Sequence, residues 1–417
     1  MPHTRFADVC LAVGVGTRYE PKEVNGVSHF VEHILFRGCR TLPTSYQLNL
    51  EFDRIGDGLN ALTAKEYTMF TTRVPVEELS KALKLLAGVV SEPLFRDVDT
   101  ERKIIHEEIL EELDEKGRDS DIENISRKLI FGNHALGQPV LGRVATLARI
   151  GEEQLKEFHA AYYRPANMVL AVAGGSPWGK TRAAAEDAFG RRFVRTTPAH
   201  PVPKAHHVPD ELKLKGLEPG IHFVRAEGSQ VEVLMSFFMP GERHPGELAR
   251  GFLARVLDDG ISSRLQRTVC ERRGLLYDIS CGIESFTDVA LFDVQFSVSP
   301  QKLAEVVEVV VAELELLRDE LIGREEFEIV RGRYFRDIHQ TAESSAGMAS
   351  LMAESALLRL PLPLDSKEYE SRVRELTPEA VRDEAVRAFR FGRCAFVAMG
   401  EVSARQKSVI RRLLKRL

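Results

Sequence analysis

The sequence predicts an α+β protein of two related domains, and three observations predict it. Helical and strand patterns come in runs rather than in strict alternation, which disfavours a parallel doubly wound sheet. A stretch with four prolines and little apolar content, RTTPAHPVPKAHHVPDE, divides the 417-residue chain near its middle. The ends of the two halves also align at an offset of 226 residues. There EEQLKEFHAAYYRPANMVLAVAG lies over PEAVRDEAVRAFRFGRCAFVAMG, with Glu153 over Glu379, Arg164 over Arg390 and Gly174 over Gly400. A duplicated unit of roughly 200 residues accounts for this; the identities are few, and two unrelated helix–strand units would give the same pattern. The expected division is residues 1–194, a linker at 195–212, and residues 213–417.

FADVCLAVGVG reads as a largely buried strand, and GVSHFVEHILFRG follows as a helix, with Val27, Phe30, Val31, Ile34 and Leu35 apolar and Gly38 as its stop. SYQLNLEFDRIG is a short helix, and GLNALTAKEYTMFTTRVP alternates as two strands or one long bent one. Three helical patterns come next: VEELSKALKLLAGVV, DTERKIIHEEILEEL and SDIENISRKLIF. A helix (GEEQLKEFHAAYY), a strand (NMVLAVAGG) and a helix (KTRAAAEDAFGRRF) close the first half. In the second half, strand patterns (IHFVRA, VEVLMSFFM) lead to helices (GELARGFLARVL, SSRLQRTVCERRG), and further strands (LYDISCGIESF, VALFDVQFSV) precede long helices.

With 44% hydrophobic and 29% charged residues, the chain has the composition of a soluble globular protein with a large core. The net charge is −5 with both signs interspersed, so neither nucleic acid nor a membrane is expected as partner. The basic tail RQKSVIRRLLKRL reads as a solvated helix end. Five cysteines, an odd number with no C-x-x-C pair, indicate neither a disulfide framework nor a cysteine metal site. The N-terminus carries no signal-like apolar run, and no stretch approaches the roughly 20 apolar residues of a membrane span. A cytoplasmic protein is expected.

On a helix, residues four apart stack one turn above the other, so His29 and His33 present their imidazoles to a common point, with Glu32 on the same side. Two neutral imidazoles suit zinc, and a nearby carboxylate suits proton transfer from water that a metal activates. Two half-buried histidines in an ion pair fit the same five residues. Catalytic zinc takes a third protein ligand, and DTERKIIHEEILEELDE offers one: Glu101, Ile105, Glu108 and Glu112 share one helix face. The isoleucine implies that this face is partly buried, where carboxylates need a metal or a cation. A solvated acidic face is the alternative. His106 points away from it.

H-x-x-E-H is the inverzincin signature, and the chain resembles the pitrilysin, insulinase and mitochondrial-processing-peptidase family of zinc metallopeptidases. GVSHFVEHILFRG resembles that family's G-x-A-H-F-L-E-H-M-x-F-x-G, FGNHALGQPVLG its Y-G-x-H-P-L-G-x-x-x-L-G, and FHAAYYRPANMVLAVAGG its F-x-x-x-Y-x-P-x-N-x-x-x-x-x-x-G. The resemblance implies two homologous domains, each a mainly antiparallel sheet packed against helices. It also implies one Zn2+ per chain on His29, His33 and Glu108, with Glu101 orienting a ligand and Glu32 as the base in peptide hydrolysis. LNALTAKEYTMF is similar to the strand on which extended peptide substrate pairs, making Asn60, Ala61 and Thr63 substrate contacts. His134 is then structural.

Two features depart from that family. Its members open with an additional strand, so either the start is assigned late or the first domain lacks an edge strand. Its R-E-x-x-G-L-x-Y, whose arginine and tyrosine hold substrate and steady the oxyanion, is here CERRGLLYDI. Tyr277 is present, but Cys270 stands at the arginine position, and a thiol cannot replace a guanidinium. Arg272 and Arg273 occupy other helix faces, and Asp258 and Asp259 stand where the family has glycines. In short members of the family, one chain of a pair supplies zinc and the other the arginine and tyrosine. The expectation is therefore the zinc-bearing half of a heterodimer enclosing one chamber, with a homodimer as the variant. A catalytically silent scaffold subunit is the competing reading. A structural zinc closed by a fourth ligand such as Cys39 is a third.

Overall fold

The computed structural model describes residue 1 and residues 3–190, 203–205, 207–208, 220–360 and 366–417. The linker expected at 195–212 lies almost wholly outside them. Two compact units emerge, one of residues 1–118, 133–206 and 339–364, the other of 119–132, 207–338 and 365–417. The expected domains followed chain order; the units instead exchange one segment in each direction.

The first half of the chain runs β1 (Phe6–Val13), α1 (Val27–Leu35), α2 (Ser45–Asp53), β2 (Asn60–Thr63), β3 (Thr68–Pro75), α3 (Leu79–Ser91), α4 (Val98–Glu111), α5 (Ile122–Phe131), α6 (Glu152–Tyr162), β4 (Met168–Gly174) and α7 (Trp178–Ala185). In the first unit the strands form an antiparallel sheet in the order β2-β3-β1-β4. Every β1 residue after Phe6 is buried, because both faces of this strand are covered, which is why it reads as an apolar run. Val9, Leu11 and Val13 pack on one face with Phe30, Val31 and Ile34 of α1 and with Leu83 and Leu86 of α3.

The second half runs β5 (Gly220–Val224), β6 (Val231–Pro240), α8 (Glu247–Leu257), β7 (Ile279–Ser285), β8 (Val289–Val298), α9 (Leu303–Asp319), α10 (Arg324–Glu343), α11 (Ser345–Leu358), α12 (Ser366–Arg374), α13 (Pro378–Ala388), β9 (Cys394–Met399) and α14 (Ala404–Leu414). The second unit's sheet has the order β5-β9-β6-β8-β7, antiparallel except for the β5–β9 pair. Among the described residues, no helix is long and apolar enough to cross a membrane.

The exchanged helices cover the second face of each sheet. In the first unit Ala349 and Ala353 of α11 pack on Cys10, Ala12 and Met69, and the Ser345 hydroxyl donates to Asp8 Oδ2 at 2.5 Å. In the second, Ile122 and Ile125 of α5 pack on Leu234 and Val397. Two polar residues of α5 are buried with partners on that sheet. Ser126 Oγ lies 2.9 Å from Ser236 Oγ, while Arg127 reaches Asp293 at 2.6 Å and Glu284 at 2.5 Å. Arg127→Met should cost about 3 kcal/mol of stability, since it strands the half-buried Asp293 without its cation; chemical denaturation of the variant, alone and with Asp293→Asn added, measures it. A loss that the second change does not relieve would contradict the pairing.

The duplication is visible in backbone conformation at the 226-residue offset. Tyr163 and Phe389 end α6 and α13 with (φ, ψ) of −81°, 68° and −82°, 70°. Short 3-10 turns follow at Pro165–Asn167 and Phe391–Arg393, and Gly174 and Gly400 close the next strand at φ +145° and +143°. A Cβ at Gly174 would lie 2.3 Å from the carbonyl oxygen of Phe6, so only glycine fits there.

Candidate metal centre

Helix α1 begins at Gly26, whose φ of +96° and lack of a Cβ let the backbone of Leu141 and Gly142 approach. Its apolar residues face the core with less than 2% exposure, which leaves His29, Glu32 and His33 on the remaining side. Helix α4 delivers the face expected from its spacing: Ile105 is fully buried and Glu101 is 4% exposed. Together the two helices bring His29, His33 and Glu108 to one point.

The donor atoms have the spacing of a ligand set. His29 Nε2 and His33 Nε2 lie 3.2 Å apart, and Glu108 Oε2 is 3.7 Å from each. A tetrahedral ion at bond lengths of about 2.1 Å separates its ligand atoms by roughly 3.4 Å, which these distances bracket. Glu101 accepts a hydrogen bond from His33 Nδ1 at 2.8 Å, so the His33 Nε2 lone pair points at His29. Two facing imidazole nitrogens and a carboxylate oxygen make a donor set that suits a cation.

Electrostatics supports that arrangement. Burial pushes the His29 imidazole down to about 3, helped by its neighbour His33, so it stays neutral. For His33, burial acts downward but is outweighed by Glu101, Glu108 and Glu32, and its pKa rises. Burial would raise Glu101, yet His33 and the Arg37 guanidinium hold it below its ordinary value. Burial lifts Glu32 despite a hydrogen bond from Thr63 and the charge of His33. A divalent cation among these groups would offset the crowding of three carboxylates.

The other expected residues divide. Thr63 is buried and its hydroxyl donates to Glu32 Oε2, so its side chain serves the carboxylate rather than facing solvent. Asn60 is exposed and Ala61 packs against the core, both on the sheet's edge strand β2. Tyr277 lies in the second unit, fully exposed, in the loop before β7. Cys270 lies in a widened π-helical turn, Gln266–Glu271, where burial and then the charges of Asp278, Glu271 and Asp258 raise its thiol pKa. His134 caps a short turn by accepting from the Leu136 N–H.

A model of the insulinase family, peptidase family M16, matches residues 1–143, which hold all three candidate ligands. A second model, described as the M16 inactive domain, matches residues 149–334. An uncharacterized zinc protease of Mycobacterium leprae is 31% identical over 363 residues, covering 86% of this chain and 79% of the relative. This chain belongs to the M16 peptidase family. The zinc protease YmxG of Bacillus subtilis, also uncharacterized, is 28% identical over 86% of the chain and 84% of its own length. Two solved structures share the fold: a protease from Helicobacter pylori (TM-score 0.87, 20% identity, 95% of each chain) and an M16 inactive domain from Pseudomonas fluorescens (TM-score 0.84, 20% identity, 97% and 94%).

The like positions of the second unit carry no such donors. Helix α8 also starts after a glycine, Gly246, and its third, sixth and seventh residues are Ala249, Phe252 and Leu253, where α1 has His29, Glu32 and His33. All three pack into the second core.

Two supporting residues escaped the sequence reading. Arg37 donates to Glu101; its position one turn beyond His33, a cation beside an acidic helix, was the available signal. Glu20 accepts from the Gly26 N–H at 2.7 Å and the Ser28 N–H at 2.8 Å, and no local pattern joins a loop glutamate to a helix that starts seven residues later.

Proposed function

We propose that this chain is a zinc-dependent endopeptidase that hydrolyses peptides or unfolded protein segments, with one zinc per chain held by His29, His33 and Glu108. The observation that carries this reading is the convergence of two imidazole nitrogens and a carboxylate oxygen beside Glu32. Zinc, when bound, polarises the scissile carbonyl and lowers the pKa of water. Glu32 takes a proton from the attacking water and delivers it to the leaving amine. The Thr63 hydroxyl holds one Glu32 oxygen and leaves the other for that proton. Glu101, steadied by Arg37, keeps the His33 tautomer whose Nε2 is a lone pair.

Among the described residues strand β2 pairs with β3 alone, so its outer edge offers backbone groups to an extended substrate along Asn60, Ala61 and Thr63. Tyr277, or the equivalent tyrosine of a partner chain, steadies the oxyanion. Because Cys270 offers no fixed positive charge, the chain acts as the zinc-bearing subunit of a heterodimer, a homologous partner supplying an arginine and tyrosine, with a homodimer as the variant. All five cysteines are free thiols, which supports a reducing cytoplasm as its setting.

Cleavage of a quenched-fluorescent peptide, with zinc content measured in parallel, tests this reading. The expected result is chelator-sensitive cleavage that is slow for the chain alone and rises at least about tenfold with the partner or with Cys270→Arg. Turnover by the unaided wild type at about 10 s⁻¹, the enzyme median, would refute the need for a partner. A chain that binds no zinc would leave the scaffold reading in possession.

A further inference from the structure

We infer that Glu20 is a positioning residue: its buried carboxylate holds the first turn of α1 and thereby aims His29. The inference rests on the proposed zinc site. The opening N–H groups of a helix have no partners within it. In α1 the N-cap is Gly26, with no side-chain cap, and the helix is nine residues long. Glu20 fills that gap from a loop. One of its oxygens, Oε2, accepts from the Gly26 N–H at 2.7 Å and from Asn25 Nδ2 at 2.8 Å; the other accepts from the Ser28 N–H at 2.8 Å. Only 4% of the residue is exposed, so water does not compete for these bonds. A negative charge at a helix N-terminus is also favoured by the aligned peptide dipoles.

The two histidines differ in what orients them. The Nδ1 of His33 is held by Glu101, whereas the Nδ1 of His29 is buried without a hydrogen-bond partner among the described residues. The aim of His29 therefore depends on the backbone that carries it, and Ser28, its neighbour, is bonded to Glu20. Asn25 extends the tether, donating a second bond to the Pro139 carbonyl at 3.0 Å, while its own carbonyl accepts from Thr146 Oγ1 at 2.8 Å. Glu20 does for His29 through the main chain what Glu101 does for His33 through a side chain.

The test is Glu20→Gln, which keeps the shape but turns an amide N–H against the helix N–H groups. Three quantities are read: zinc affinity by chelator competition, the visible spectrum of the cobalt-loaded chain, and hydrogen exchange of the α1 amides without metal. Ser345→Ala, which removes the hydrogen bond to Asp8 elsewhere in the first unit, controls for lost stability. Expected are an affinity at least about tenfold weaker, as for groups that orient metal ligands, a shifted cobalt spectrum and faster exchange in α1, with wild-type zinc affinity in the control. Unchanged affinity in Glu20→Gln, or an equal loss in the control, would overturn the inference. If Glu20→Gln does not accumulate folded, Asn25→Ala takes its place, with a smaller loss in the same direction expected and none overturning. A wild type without zinc would instead defeat the proposed function, a separate result from a zinc-binding wild type matched by its variant.

Discussion

Glu32→Gln is expected to lower kcat by on the order of 10²- to 10⁴-fold, the usual contribution of a positioned acid–base group, while zinc stays bound as in the wild type. The separation of the two effects follows from geometry. Glu32 is not among the three residues whose donor atoms converge, so the ligand set survives its loss. The glutamine carbonyl can still accept the Thr63 hydrogen bond, so α1 and β2 keep their contact and folding is spared. What disappears is the only function of that carboxylate that an amide lacks, proton transfer. Any residual activity should also lose the acid limb of its pH–rate profile, because the base must be ionised to act. Metal analysis together with peptide cleavage, in the presence of the partner, makes the measurement. A variant retaining a tenth or more of wild-type activity would remove Glu32 from its role.

How much of this was legible in the chain depends on how local each interaction is. His29, Glu32 and His33 lie within one and a half helical turns, and the face of α4 is written in its own spacing, so the candidate ligand set could be assembled from two short stretches. The strand at Phe6–Val13 was equally local, whereas the alternation over residues 60–75 fitted one bent strand as well as the observed pair, β2 and β3. The exchange of α5 and α11 was not. An amphipathic pattern says that Ile122 and Ile125 need a core, and it is silent on which sheet provides one; the partner of Ser126 is Ser236, 110 residues away. The Thr63–Glu32 hydrogen bond escaped the sequence reading for a related reason. Alternation places Thr63 on one side of β2, but that this side meets Glu32 depends on how α1 packs. Glu20 left no trace at all, since its bonds go to backbone N–H groups that every sequence possesses.

Glu108→Gln should abolish stoichiometric zinc binding, with affinity falling by more than the roughly 10- to 100-fold that loss of an outer hydrogen-bond partner costs. Of the three donors, Glu108 is the only anionic one, and a neutral amide oxygen is a far weaker ligand for a divalent cation than a carboxylate. It also comes from a different helix. Removing it leaves two imidazoles of α1 that cannot by themselves complete the three-ligand set of a catalytic site. The loss can be read without any substrate. Zinc at about 100 times its Kd stabilises the folded wild type by roughly 2.7 kcal/mol through binding alone, and that increment vanishes on adding a chelator. The variant should unfold at the same temperature with or without zinc or chelator. Its side chain is about a third exposed, so the substitution itself removes little packing and the metal-free chains should melt alike. Retention of one tightly held zinc per chain by Glu108→Gln would mean that the third ligand lies elsewhere and that the convergence of α1 and α4 serves another purpose.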